Sequence, residues 1–114
     1  MRRFSRLLPA AFVAVCVAVW VIAAWAGGEP APRTHVVKMT GMAFAPANLV
    51  VRAGDAVEWV NEDLVPHTAT SNAGEFDSGT IAPGQSWSWT ARVEGTGAYV
   101  CRLHPTMTAR LQVK

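Results

Sequence analysis

Beyond residue 26 the sequence predicts an all-β domain, an antiparallel sandwich or barrel of about seven to eight short strands. Three observations carry that expectation. Apolar and polar residues alternate with period two: Val57 and Trp59 against Glu58, Trp87 and Trp89 against Ser86 and Ser88, Leu111 and Val113 against Arg110 and Gln112. Turn-forming clusters recur at short intervals, at Ala53-Gly54-Asp55, Asn72-Ala73-Gly74, Ala82-Pro83-Gly84 and Glu94-Gly95-Thr96-Gly97. No stretch in this region sustains a 3.6-residue period. Short alternating runs between such turns suit stacked or closed antiparallel sheets.

The first element in the chain is not a strand. Residues 1–26 hold 21 of the apolar residues together with Arg2, Arg3 and Arg6, and no acid. A basic start, a 20-residue apolar run and the closing Ala24-Trp25-Ala26 fit an export helix. It reads as a signal peptide cut after Ala26 or as a retained N-terminal membrane anchor, since 20 apolar residues as a helix reach ~30 Å. Either way the basic end stays in the cytoplasm and the rest is exported, to the periplasm or the outer face of the cytoplasmic membrane. Residues 27–34 carry Gly, Pro and charge and read as a linker, leaving 35–114 as the folded domain.

Setting the export segment aside changes the charge. The net +2 of the whole chain becomes −1 over residues 27–114, with seven Lys/Arg against eight Asp/Glu. That balance excludes a basic nucleic-acid-binding domain. A length of 88 residues excludes a multidomain enzyme.

The expected strands follow in order: 35–40, 48–52, 56–61, 67–71, 86–90, 97–101 and 109–114, with a short eighth around 76–80. Trp59, Trp87 and Trp89 fall on the inward positions of their strands and are expected in the core. Past residue 26 there is one cysteine, Cys101, which cannot form a disulfide within the chain. In an oxidising compartment such a thiol is a liability unless something protects it, and metal ligation would.

Around that cysteine the chain reads Tyr99-Val100-Cys101-Arg102-Leu103-His104-Pro105-Thr106-Met107. A thiol, an imidazole and a thioether recur every third residue in an expected loop between two strands. A second imidazole, His67, lies 34 residues earlier, after Pro66. One cysteine, two histidines and a weak axial methionine are the donors of a blue-copper electron-transfer site. Cu(I) prefers soft sulfur and Cu(II) accepts imidazole, so this mixed set suits both states and little has to rearrange when an electron moves. Singly, each residue has an ordinary alternative: a buried small hydrophobe for Cys101, packing for Met107, a satisfied or solvated ring for either histidine. The Cys-x-x-His-x-x-Met spacing with a partner histidine points to one copper ion. His35, at the linker edge, has no place in this set and is expected to be exposed.

On these residues, 36–113 resemble a small cupredoxin, a type 1 blue-copper protein of the plastocyanin/amicyanin type. The matching text is Phe44-Ala45-Pro46, the run from Val51 to Asn61, Pro66-His67-Thr68, Phe76-Asp77-Ser78-Gly79, Pro83-Gly84 and the loop from Cys101 to Met107. The two-residue gap between His104 and Met107 is the short, amicyanin-like form. The resemblance implies a Greek-key β-sandwich of eight strands with copper near one end, held by His67, Cys101, His104 and Met107. It implies a one-electron carrier cycling Cu(II)/Cu(I) between extracytoplasmic redox proteins, with His104 as the electron port. Leu103, Pro105 and Thr106, with Leu64, Val65 and Pro66, would form a small apolar docking patch on a monomer. Thr68 stands where these families carry an asparagine that braces the ligand loop; a threonine offers one hydrogen bond, so the metal is expected with altered hydrogen bonding around it. Ala109 and Val100 replace a common glycine and aromatic without removing a donor.

Two rival classes use the same text. A copper protein for storage, delivery or resistance would share all four donors, though no Met- or His-rich tract accompanies them beyond Met39 and Met42. An enzyme is not expected. Three histidines cannot supply the further metals of a multicopper oxidase or nitrite reductase, and no carboxylate or amide completes a Cys–His hydrolase. Zinc is disfavoured because a thioether is a poor zinc ligand.

Overall fold

A computed structural model describes residues 30–114; the expected export helix, its possible cleavage point and the start of the linker lie outside the described residues. Eight strands are formed: β1 Thr34–Thr40, β2 Ala43–Ala45, β3 Asn48–Val51, β4 Ala56–Asn61, β5 Thr70–Ser71, β6 Ser86–Thr90, β7 Gly95–Cys101 and β8 His104–Val113. They make two four-stranded sheets, in the orders β2-β1-β4-β6 and β3-β8-β7-β5.

The connectivity interleaves the sheets. Only β1–β2 and β7–β8 are both adjacent in sequence and paired; every other connection passes from one sheet to the other. Two pairings, β1 with β4 and β3 with β8, are parallel, which a string of hairpins cannot produce. This is the expected all-β sandwich, but with mixed sheets where the short alternating runs had suggested purely antiparallel ones.

Alternation builds the core. In β1, Val37 and Met39 are buried while Val36, Lys38 and Thr40 face out; in β8, Met107, Ala109, Leu111 and Val113 are buried and the residues between them are not. A one-residue slip of either strand would expose its whole apolar set, so burial fixes the register. Trp59 is fully buried, and Trp87 and Trp89 pack half-buried against the core, as the alternation predicts. Trp59, Phe76, Trp87 and Tyr99 form an aromatic cluster with ring centroids 5.1 to 6.4 Å apart. Burial pushes the Tyr99 hydroxyl up to about 12; the Trp59 indole N–H beside it lowers the value only in part, and the two atoms fall short of a hydrogen bond.

Four elements depart from the sequence expectation. The eighth strand is β2, not residues 76–80. A three-residue Ala-Phe-Ala strand is too short to show a period, yet Phe44 anchors it against Tyr99 at 4.7 Å. Residues 76–81 run antiparallel to 67–71 through isolated bridges, Thr70 to Asp77 and His67 to Ile81, so only Thr70–Ser71 of the expected 67–71 strand forms a ladder. The Gly95–Gly97 break is instead the start of β7, where Gly95 pairs with Val113. Finally, the segment expected as a loop up to residue 108 is mostly strand. A tight turn at Arg102-Leu103 and a bulge at Val100/Cys101 let β8 begin at His104, opposite Cys101.

Candidate metal centre

Two connections meet at one end of the sandwich. The loop from Glu62 to Pro66 leaves β4 and delivers His67, whose backbone N–H and C=O both bond Ile81, at 3.1 and 2.7 Å. Asn61 holds that loop closed: its Nδ2 donates to the carbonyls of Val65 and Ile81 at 2.9 Å, and its Oδ1 accepts from the Asp63 N–H at 3.0 Å. The β7–β8 turn delivers Cys101 and His104 as directly opposed residues.

These elements bring three of the four expected donors together. His67 Nδ1 and His104 Nδ1 are 3.2 Å apart, and Cys101 Sγ lies 3.7 and 3.6 Å from them. His67 and Cys101 are fully buried and His104 is half-buried. A trigonal N₂S set around an ion with bonds of about 2.0 Å to nitrogen and about 2.3 Å to sulfur has edges of about 3.5 to 3.8 Å. The observed triangle is within a few tenths of that size, so the donors fit a small soft-to-borderline cation. Met107, the fourth expected donor, is buried on the inward face of β8, three residues beyond His104.

The ring of His67 is oriented by a residue the sequence reading did not include. Asp63 Oδ2 accepts from His67 Nε2 at 2.7 Å. In the neutral ring, a proton on Nε2 leaves Nδ1 bare, and Nδ1 is the atom that faces Cys101 and His104. Asp63 also accepts from the N–H groups of Gly41 and Met42, at 2.7 and 3.0 Å, tying the β1–β2 turn to the site. Partial burial pushes the Asp63 carboxyl up, but the hydrogen bonds from His67, Met42 and Gly41 outweigh it and hold it below the usual carboxylate range. The spacing of four from His67 lies in an irregular loop, where sequence distance carries no directional information. An acid next to the Asn61 turn was the only available signal.

Thr68 braces the site from two sides. Its N–H donates to Cys101 Sγ at 3.3 Å, and its hydroxyl accepts from the Arg102 N–H at 2.8 Å. The threonine thus ties the two ligand-bearing segments together. His35, expected to be exposed and unengaged, is instead half-buried and bonded through Nε2 to Asp55 Oδ2 at 2.8 Å, at the start of β1 and outside the donor cluster. Among the described residues, His67, Cys101 and His104 are the one group of three or more His, Cys and acidic side chains with converging ligand atoms.

Comparison with known proteins agrees with this geometry. Amicyanin-alpha of Methylorubrum extorquens is 29% identical over 91% of this chain and 97% of its own length. A solved Cu(I) form of an amicyanin mutant superposes with a TM-score of 0.68 and 30% identity, over 75% of this chain and 87% of that one. A copper-containing nitrite reductase from Thermus scotoductus matches with a TM-score of 0.67 and 28% identity, over 75% of this chain but only 23% of the enzyme. The sequence model of the copper binding proteins of the plastocyanin/azurin family matches residues 33–114, nearly everything the structure describes, and the chain belongs to that family.

Proposed function

We propose that this protein is a type 1 copper electron-transfer protein, with His67, Cys101, His104 and Met107 as the ligands of one copper ion. The observation that carries the reading is the triangle of His67 Nδ1, Cys101 Sγ and His104 Nδ1, preformed, fully buried at His67 and Cys101, and matched in edge length to a trigonal site. When bound, copper supplies the Cu(II)/Cu(I) couple. The chain supplies a site that neither oxidation state has to rebuild. Asp63 fixes the His67 ring, Thr68 donates to the Cys101 sulfur, and the β7–β8 pairing holds Cys101 opposite His104. Burial keeps water from the sulfur.

His104, the more exposed of the two imidazoles, is the electron port. Leu103 beside it and Leu64 and Val65 ahead of His67 stand out from the surface and form the docking patch for redox proteins. A carrier role is favoured over an enzyme because the matched part of the nitrite reductase is under a quarter of that protein, and this chain has three histidines in all. The export segment expected at residues 1–26 supports a location outside the cytoplasm. Adding Cu(II) to the purified protein is expected to give an intense thiolate-to-copper visible band, and Cys101→Ser to abolish it. A colourless wild-type protein sinks the reading. Fast, reversible one-electron exchange distinguishes a carrier from a storage or delivery protein.

A further inference from the structure

The brace at Thr68 does not end at Thr68. Its hydroxyl lies 3.0 Å from Thr70 Oγ1, and Thr70 Oγ1 lies 3.1 Å from Asp77 Oδ1, to which it donates. Each hydroxyl has one proton. The Thr70 proton is committed to the carboxylate, so the Thr68 proton must point to Thr70, leaving the Thr68 lone pairs to accept from the Arg102 N–H. The result is a one-way chain from Arg102 N–H through Thr68 and Thr70 to Asp77. Asp77 is held in turn by the Gly79 N–H at 3.0 Å and by Arg102 Nη2 at 3.3 Å. Arg102 therefore closes the ring, giving its backbone to one end and its guanidinium to the other. Thr68 and Thr70 are buried, so neither hydroxyl has water as a substitute partner.

We propose that Thr70 and Asp77 are positioning residues of the copper site, acting through Thr68 on the hydrogen bond to Cys101 Sγ. The role rests on the copper reading above. The carboxylate polarises the chain and fixes the Thr68 rotamer, which fixes both the Arg102 amide and the N–H that points at the sulfur. A donor to the sulfur draws electron density from the thiolate, weakens its donation to the oxidised metal and favours the reduced form. Loosening the chain therefore shifts the couple toward the oxidised state. Asp77 and Arg102 lie at the surface, so the site is tuned from side chains outside the donor set.

The test uses the purified full-length protein with Thr70→Val, Thr70→Ser and Asp77→Asn. In the metal-free protein, Thr70→Val and Asp77→Asn should speed amide exchange at Arg102, while Thr70→Ser keeps it slow. In the copper-loaded protein, the first two should lower the equilibrium constant for reduction by a mediator roughly three- to tenfold, tenfold corresponding to about 59 mV for one electron. Thr70→Ser should restore it. Asp77 is half exposed, so Asp77→Asn remains informative even if Thr70→Val does not fold. An unchanged constant and unchanged Arg102 exchange in a variant that still shows the visible band overturn the relay alone. A wild-type protein without a band, its Arg102 amide still protected, overturns the copper reading and the tuning role with it.

Discussion

At the scale of the residue, the donors differ in what they also do for the fold. Cys101 and Met107 are buried among the core residues of β7 and β8 and serve as packing even without a metal. Met107→Leu keeps volume and apolar character, so the change should cost under about 1.5 kcal/mol of stability in the metal-free protein. It removes the thioether while leaving the His67, Cys101 and His104 triangle intact. The variant should retain copper and its visible band while the reduction potential moves, as replacing a weak axial ligand requires. Loss of copper binding in a folded Met107→Leu protein would assign Met107 a larger role than an axial one. His67 is different. It is fully buried, and its second nitrogen is satisfied by Asp63, so its position is set before any metal arrives.

At the scale of the element, the end of the sandwich away from the donor cluster is fastened by one carboxylate. Asp55, in the turn between β3 and β4, accepts from the Arg33 and Arg52 N–H groups at 2.9 and 3.0 Å and from His35 at 2.8 Å. It thereby ties the start of β1 to that turn, and Gly54 adopts φ +98° to let the chain reverse there. The Arg33 backbone hydrogen bond, then the His35 side chain and the Arg52 N–H, hold the Asp55 carboxyl down at about 2 against an ordinary 3.8. A carboxyl whose folded pKa is depressed stabilises the fold above its unfolded value, and that contribution fades as pH falls toward the folded one. Denaturant midpoints followed from neutral pH downward should therefore drop between about 4 and about 2. Asp55→Asn should lower the midpoint at neutral pH and flatten that acid limb; an identical acid limb in the variant would remove Asp55 as its cause. The same region shows what the sequence made legible. Strands Ala56–Asn61 and Ser86–Thr90 were readable to the residue because alternation there coincides with burial. The meeting of His67, Cys101 and His104 was readable because a soft-metal site calls for those side-chain types, two of them only three residues apart. Asp63, Thr70 and Asp77 were not, because their partners lie across irregular loops with no period to connect them. His35 was misjudged for the same reason: its partner Asp55 is 20 residues away and meets it only through the parallel β1–β4 pairing.

At the scale of the whole molecule, the two ends of the sandwich carry different surfaces. β7 runs from Gly95 to Cys101, about 20 Å of extended chain, so the β6–β7 loop with exposed Val93 lies at the far end from the donor cluster. At the near end, Leu64 is 95% exposed and Leu103 48%, flanking the two ligand segments. A leucine so exposed contributes little to folding, so its replacement is expected to change stability by no more than about 0.5 kcal/mol. On the docking patch proposed above, its place three residues before His67 gives it a use in association instead. With a net charge of −1 over residues 27–114, two copies repel weakly and long-range steering is slight. Electron self-exchange between copies then depends on how closely two apolar ends can approach and shed water around His104. Leu64→Lys brings the net charge nearer zero, so general repulsion decreases, yet it places a hydrated ammonium at the centre of the contact. Self-exchange measured by line broadening in mixtures of oxidised and reduced protein should slow by roughly tenfold or more, the scale of a lost 1.4 kcal/mol at the contact. Val93→Lys adds the same charge at the opposite end and should leave the rate within about twofold of the unsubstituted protein. Equal slowing in both variants would trace the effect to charge alone, and no slowing in either would place the electron port away from His104.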